Sequence, residues 1–163
     1  MTEETTPDLE NTLVIELETG KVTIEMLPDL APTHVARIKE LTREGFYDGI
    51  VFHRVIDGFM AQTGDPTGTG TSGSGKKLRA EFTQEPFVRG VVGMARAQNP
   101  HSGDSQFFIM FDSAPSLNGQ YTVWGRVTDG MDLVDGIKKG APGSGAVDDP
   151  DRMVSVKVLA DAE

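Results

Sequence analysis

The sequence has 163 residues, a length that suits one domain with a core large enough to fold without metal or disulfide support. It carries 15 Lys and Arg against 25 Asp and Glu, a formal net charge of -10, which argues against nucleic acid as a partner because phosphate binding needs clustered cations. It contains no cysteine, which excludes a disulfide framework and a thiol nucleophile.

Residues 1–11 are acidic and polar, and they lack the basic start and apolar run of a secretory signal. We therefore expect a flexible tail over residues 1–11 and a single domain over residues 12–163. No stretch approaches the roughly 20 apolar residues of a membrane helix, so no membrane partner is expected. These features are compatible with a cytoplasmic location, and we expect the protein to be a monomer.

The first elements are a hairpin and a helix. Thr12–Glu18 and Val22–Leu27 alternate apolar and polar residues around a short turn, as strands with one buried face do. Pro32–Glu44 has apolar residues at helical spacing, a proline suited to a first turn, and Gly45 in place to end the helix.

Short β-like runs separated by Gly, Pro, Asn and Asp follow, and only Met131–Lys139 is typical of a second helix. Many short strands without β-helix-β alternation favour an antiparallel barrel or sandwich. Closure removes exposed edges and two helices can cap two open ends, so we predict a mainly β, closed antiparallel barrel. The runs are Ile50–Ile56, Met60–Gln62, Gly90–Ala95, Gln106–Phe111, Tyr121–Arg126 and Val154–Leu159.

The stretch GTGTSGSGKK, residues 68–77, resembles both a dinucleotide fingerprint and a phosphate-binding loop. Neither resemblance has its structural context, because QTGDPT upstream is turn-like and the sequence downstream is a weak helix former. Lys77 also stands where magnesium coordination needs Ser or Thr. We therefore predict no nucleotide cofactor, and a flexible surface segment in which glycines permit tight turns.

The usual catalytic sets are hard to assemble from this sequence. His34, His53 and His101 are far apart and none has a partner at zinc-ligand spacing, so no metal is predicted. A Ser-His-Asp arrangement stays open, although no G-x-S-x-G segment supports one.

Two other segments combine polar and aromatic residues. In VFHRVIDGFMAQTGD, alternation places Phe52, Arg54, Met60 and Gln62 on one face if the turn at residues 57–58 preserves the register. In SQFFIMF, both faces of the strand carry aromatic residues. One face can line a groove while the other fills the core, or both can be core; the pattern alone leaves this open.

These segments, with GVVGMARAQNPHSGDSQFFIMF and LNGQYTVWGRV, resemble the signature regions of the cyclophilin peptidyl-prolyl cis/trans isomerases, in the same order and at similar spacing. The resemblance extends from about Thr12 to Leu159. It implies an eight-stranded closed barrel capped by two helices, with a substrate groove on its outer surface and no cofactor. It further implies that the glycine stretch borders this groove.

The resemblance also implies roles for individual residues. Arg54 matches the catalytic arginine, and Gln62 and Gln106 match groups that hold the peptide backbone. Gly70 matches a glycine at the groove edge. The proline pocket is matched by Phe59, Met60, Phe108, Leu117 and Tyr121, and the segment along which the peptide lies by Ala95, Arg96 and Ala97.

The function that this resemblance implies is rotation about X-Pro bonds in proline-containing peptides and in unfolded or folding proteins. A non-catalytic binder of proline peptides would use the same groove, and a small-ligand carrier would need a hollow barrel. The sequence departs from animal-type relatives, which have Trp where Ser116 stands and Asn where Arg96 stands. We therefore expect cyclosporin to bind with reduced affinity.

Overall fold

The computed structural model describes residues 9–70 and 72–162, and it contains one eight-stranded antiparallel sheet with three helices. The strand order is β3-β4-β6-β5-β7-β2-β1-β8. The strands are β1 (Thr12–Leu17), β2 (Gly20–Met26), β3 (Arg54–Ile56), β4 (Met60–Thr63), β5 (Val91–Met94), β6 (Phe107–Met110), β7 (Val123–Asp129) and β8 (Ser155–Val158). The mainly β prediction is correct.

The predicted closure of the barrel is wrong. The sheet curls but stays open, with β3 and β8 as its two edges among the described residues. The segments that would have to pair form only an isolated bridge, between Val51 and Arg152, and a few loop hydrogen bonds such as Phe52 N to Asp151 O at 2.8 Å. Asp149 has a positive φ of 52° and Pro150 lacks an N–H, so a regular ladder cannot continue here.

The helices are α1 (Pro32–Arg43), α2 (Met131–Asp135) and α3 (Leu159–Ala162), one more than predicted. The second helix ends at Asp135 and not at Lys139, with Gly136 as its C-cap. Residues 1–8 of the predicted tail lie outside the described residues, whereas Leu9–Asn11 forms a 3-10 turn in which Glu10 pairs with Arg43 at 2.9 Å.

The inner face of the sheet is filled with large apolar side chains. Phe107 and Trp124 are fully buried and pack edge to face with ring centroids 5.3 Å apart. Ile109 and Phe111 belong to the same cluster. This filled interior leaves no hollow for a ligand among the described residues, and it disfavours a small-ligand carrier.

A second, smaller cluster lies on the opposite face of the sheet and contains Met60, Phe87 and Phe108. Both faces of β6 are therefore buried, and the outer face supports a groove. Phe52 does not join this face as the alternation predicts. It lies in the inner core, because residues 52 and 53 precede β3 and do not follow the strand alternation.

Candidate active site

A pocket of about 190 Å³ opens on the outer face of the sheet, over the second cluster. Met60 and Phe108, both almost completely buried, belong to the cluster beneath it. The residues lining it are Arg54, Phe59, Met60, Gln62, Ala95, Arg96, Phe108, Leu117 and Tyr121. The pocket thus has an apolar floor, with two cations, Arg54 and Arg96, and the amide of Gln62 at its wall.

Strand register places the polar and apolar walls side by side. Arg54 lies opposite Gln62 in the β3–β4 pair, and Gln62 lies opposite Phe108 in the β4–β6 pair. Directly opposed residues project to the same face of a sheet. The three side chains therefore form one row across three strands. This confirms the prediction that Arg54 and Gln62 share a face.

Gly93 is the next position in this row, opposite Phe108 in the β5–β6 pair. A Cβ at Gly93 would come within 2.7 Å of the Phe87 ring and 2.8 Å of the Phe108 ring. The missing side chain therefore leaves the space in which the two rings stack, with centroids 5.8 Å apart. Gly93 thereby makes room for the stacked pair of rings in the cluster beneath the pocket.

Two hydrogen bonds fix the Arg54 side chain. Its Nη1 donates to Gln62 Oε1 at 3.2 Å, and its Nε donates to the Ser144 carbonyl at 3.2 Å. Within the described residues, Nη2 donates to no protein acceptor. The guanidinium is thus held through two of its own N–H donors, and its remaining donors stay available for a ligand in the pocket.

Tyr121 and Arg96 form the opposite wall. The Tyr121 ring packs edge to face on Phe108, with centroids 5.6 Å apart, and the Arg96 guanidinium carbon lies 4.7 Å from the Tyr121 ring centroid. Arg96 Nε also donates to the Gln120 carbonyl at 2.9 Å. A cation–π contact and a hydrogen bond therefore fix the tyrosine position.

A second cavity of about 360 Å³ adjoins the pocket and shares Gln62, Ala95 and Arg96 with it. Gly70, Ala97 and Gln106 line this second cavity. The two cavities together contain all twelve residues that the sequence assigned to catalysis or substrate binding. Positions that are distant in the chain thus form one continuous groove.

The glycine stretch borders this groove as an exposed segment, and four of its backbone N–H groups are already bonded to carboxylates. Asp65 accepts hydrogen bonds from the backbone N–H groups of Gly70 and Ser72 at 2.6 and 3.1 Å. Asp104 accepts those of Ser74 and Gly75 at 2.8 and 3.0 Å. Carboxylates of this chain therefore take the positions that a phosphate would need.

Asp65 is fully buried and fully bonded. Burial alone would raise the pKa of its carboxyl, but hydrogen bonds from Thr67, Ser72 and Gly70 outweigh burial and hold that pKa well below its ordinary value. The loop is thus organised around a permanent negative charge.

Sequence reasoning missed several residues of the site. The Ser144 carbonyl that holds Arg54 carries no side-chain signal, and Phe87 lies in an irregular segment without periodicity. Asp65 could have been found, because an aspartate followed two residues later by threonine is typical of a side chain that bonds its own turn.

Two further findings concern metals and membranes. Across residues 9–70 and 72–162, no group of three or more His, Asp or Glu side chains is placed to hold a metal ion. None of the helices in those ranges is long and apolar enough to cross a membrane.

Comparison with known proteins gives one family. Residues 12–158 match the family described as cyclophilin type peptidyl-prolyl cis-trans isomerase/CLD. A probable peptidyl-prolyl cis-trans isomerase of Brucella suis is 56% identical and covers 96% of this chain and 86% of its own. Peptidyl-prolyl cis-trans isomerase B of Bacillus subtilis is 44% identical over 76% of this chain and 88% of its own.

Solved structures agree. Cyclophilin AquaCyp293 from Hirschia baltica superposes with a TM-score of 0.84 at 30% identity, covering 94% of this chain and 76% of that one. A Cryptosporidium parvum cyclophilin-type isomerase, solved in the presence of the dipeptide Ala-Pro, gives a TM-score of 0.81 at 29% identity, covering 90% and 98%. The chain belongs to the cyclophilin-type peptidyl-prolyl cis-trans isomerase family, and its activity is rotation about X-Pro peptide bonds.

Proposed function

We propose that Arg54 is the catalytic residue and that the 190 Å³ pocket holds the proline ring of the substrate. Rotation about an X-Pro bond is slow because it destroys amide resonance, at a barrier of about 18–20 kcal/mol. As the bond twists, the prolyl nitrogen becomes pyramidal and gains a lone pair. A guanidinium donor aimed at that nitrogen binds the twisted state more strongly than either planar state, and this lowers the barrier.

The observation that carries this proposal is the position of the Arg54 guanidinium at the wall of a pocket whose floor is apolar. Its Nε and Nη1 are engaged by Ser144 and Gln62, and Nη2 is left for the substrate. Because these protein contacts exist before the peptide binds, little reorganisation is needed when the charge develops. A lysine lacks the planar fork and could not make the two holding contacts at once.

The other polar groups hold the peptide while the bond turns. We assign Gln62 and Gln106 to the backbone that precedes the proline, and Ala95–Ala97 to the strand-like segment along which the peptide lies. Gln106 Nε2 uses one N–H on the Ser72 carbonyl at 2.9 Å and has a second one to offer. Fixing the ring and the preceding backbone confines rotation to one bond.

The substrates are proline-containing peptides and, by extension, unfolded and folding proteins of the cytoplasm. The Ala-Pro dipeptide in the C. parvum relative's structure supports this class of ligand. A groove that only binds would need the pocket but not a guanidinium with a free donor at its wall.

An NMR experiment tests the assignment. Unlabelled Ala-Pro-containing peptide is added to labelled protein, and the expected result is saturable shifts of the resonances of Phe59, Leu117 and Tyr121, with accelerated cis–trans exchange of the peptide. Shifts confined to the cleft lined by Lys21, Arg43 and Lys157, at the β1–β8 end of the sheet, would contradict it.

A further inference from the structure

A chain of side-chain hydrogen bonds leads away from Arg54 to the glycine loop. Arg54 Nη1 donates to Gln62 Oε1 at 3.2 Å, Gln62 Nε2 donates to Gln106 Oε1 at 2.9 Å, and Gln106 Nε2 donates to the Ser72 carbonyl at 2.9 Å. The chain starts on the residue proposed to be catalytic and ends on a backbone atom.

The two ends of the chain fix its direction. A carbonyl can only accept, so Gln106 must present its NH₂ group to Ser72 and its oxygen to Gln62. Gln62 must then present its NH₂ group to Gln106 and its oxygen to Arg54, which can only donate. If either amide were reversed, donors would face donors. The Ser72 carbonyl at one end and the Arg54 guanidinium at the other therefore require the same orientation of both glutamines.

Asp65 fixes the segment to which that carbonyl belongs. One carboxylate oxygen accepts the N–H groups of Gly70 and Ser72, and the other accepts the N–H and the hydroxyl of Thr67, both at 2.7 Å. The carboxylate is completely buried. Charge-assisted hydrogen bonds of this kind are stronger than neutral ones.

The base of the loop is equally constrained. Gly64 has a φ of 102°, and a Cβ there would collide with the Ser105 carbonyl. Ser105 Oγ donates to the Gly64 carbonyl at 2.7 Å, and the Tyr47 hydroxyl donates to the Ser105 carbonyl at 2.9 Å. Asp65 is therefore held at a fixed place relative to Gln106, the residue that follows Ser105.

We propose that Asp65 is a positioning residue for the isomerase reaction: by accepting the Ser72 N–H it places the Ser72 carbonyl that Gln106 binds, and through Gln106 and Gln62 it sets the position of the Arg54 guanidinium. This inference rests on the proposed role of Arg54. It predicts that the buried carboxylate affects turnover although it touches neither pocket nor substrate.

The test is Asp65→Asn, an isosteric change that leaves only one oxygen to accept. Either the Thr67 pair or the Gly70–Ser72 pair of donors then faces an NH₂ group. We expect kcat at saturating Ala-Pro-containing peptide to fall about ten-fold, short of the 10²-fold that a 1 Å misplacement can cost. The dissociation constant should change less than about three-fold. The side-chain amide signals of Gln62 and Gln106 should shift in the free protein.

Glu81→Gln is the matched control. The Glu81 carboxylate also accepts several donors, the N–H groups of Thr33 and His34 and the His34 ring, but it holds the start of α1 and lines neither cavity. The Glu81→Gln substitution should lower the melting temperature while leaving kcat and the side-chain amide signals of Gln62 and Gln106 unchanged. Asp65→Asn behaving like this control would overturn the proposal, as would a higher dissociation constant with normal kcat.

Two further variants make the test conclusive if Asp65→Asn does not fold or if Arg54 is not catalytic. If Asp65→Asn does not fold, Thr67→Val, which removes one hydroxyl donor at an exposed position, must shift the same amide signals and lower kcat by about two-fold; unchanged signals and kcat would overturn the proposal. Arg54→Ala is measured in parallel. If its kcat is also normal, the proposed function fails; if only the Asp65 and Thr67 variants are normal, this inference fails alone.

Discussion

Phe108 shows how one side chain serves both fold and function. It is 4% exposed, stacks on Phe87 and contacts Tyr121 edge to face, and it lies beside Gln62 in the sheet. Its ring contacts with a bound proline would be the same in the planar and the twisted states, because the proline ring does not leave the pocket during rotation.

Phe108→Ala should therefore weaken binding and not the chemical step. Losing an aromatic contact of about 1.5 kcal/mol or more raises the dissociation constant about ten-fold, with kcat/KM lowered by the same factor and kcat at saturation little changed. Titration calorimetry and NMR exchange measure the two quantities separately. A large fall in kcat with unchanged affinity would assign the ring to the transition state instead.

Ser116 lies exposed in the 3-10 turn Pro115–Leu117, next to the pocket residue Leu117. An indole at this position could both pack on a bulky apolar ligand and donate a hydrogen bond to it. We predict that Ser116→Trp binds cyclosporin at least about ten-fold more tightly than the unchanged protein, as an aromatic anchor at an interface does. Equal affinities in titration calorimetry would show that the turn does not contact the ligand.

Among the structural elements, the glycine loop is the one whose sequence is most misleading. Four of its backbone N–H groups point at Asp65 and Asp104, so an anion bound to them would have to displace a carboxylate that is covalently part of the chain. ATP and NAD should leave the melting temperature unchanged, since only a ligand that binds the native state raises it. A saturable rise in a thermal-shift titration would contradict this occupancy.

The sequence predicted the elements that depend on neighbouring residues better than those that depend on residues far apart in the chain. The hairpin of β1 and β2 and the helix α1 could be predicted because their periodicity and turn residues are local. The open edge between β3 and β8 could not, because it depends on the backbone around Asp149, far from Val51 in sequence. Pairing of distant strands leaves no mark in either strand alone.

The residues of the site were likewise predictable only in part from the sequence. Motif resemblance identified the residues whose side chains line the groove, such as Arg54 and Tyr121. It did not identify the groups that hold them, such as the Ser144 carbonyl and the Asp65 carboxylate. A backbone carbonyl is common to every residue type, so the sequence does not reveal which one will accept a hydrogen bond. A buried aspartate can be identified as a loop anchor only when the fold shows which N–H groups surround it.

At the scale of the whole molecule, folding stability should depend on pH in two steps. Burial lowers the pKa of His34 and of His53 below 6.5, so the unfolded chain binds more protons than the folded chain just below that pH. Stability is therefore greatest above pH 6.5 and falls as the pH drops through it. Asp65 adds stability above its unfolded pKa of 3.8, which is lost as the pH falls further.

Urea unfolding at pH 8, 5.5 and 3 measures both steps. We expect the free energy of unfolding to decrease from pH 8 to 5.5 and again from 5.5 to 3, with the second decrease smaller in Asp65→Asn. A free energy of unfolding that is constant between pH 8 and 5.5 would show that the two imidazoles are not held in their neutral form by the fold.

The central claim is that Arg54 acts on the twisted bond, and one comparison tests it directly. NMR exchange at saturating peptide gives kcat for Arg54→Ala and for the unchanged protein, and a separate titration gives each dissociation constant. We predict that kcat/KM falls by roughly 10² or more, about 2.7 kcal/mol, while peptide affinity changes much less. A variant that turns over normally and merely binds more weakly would contradict the claim.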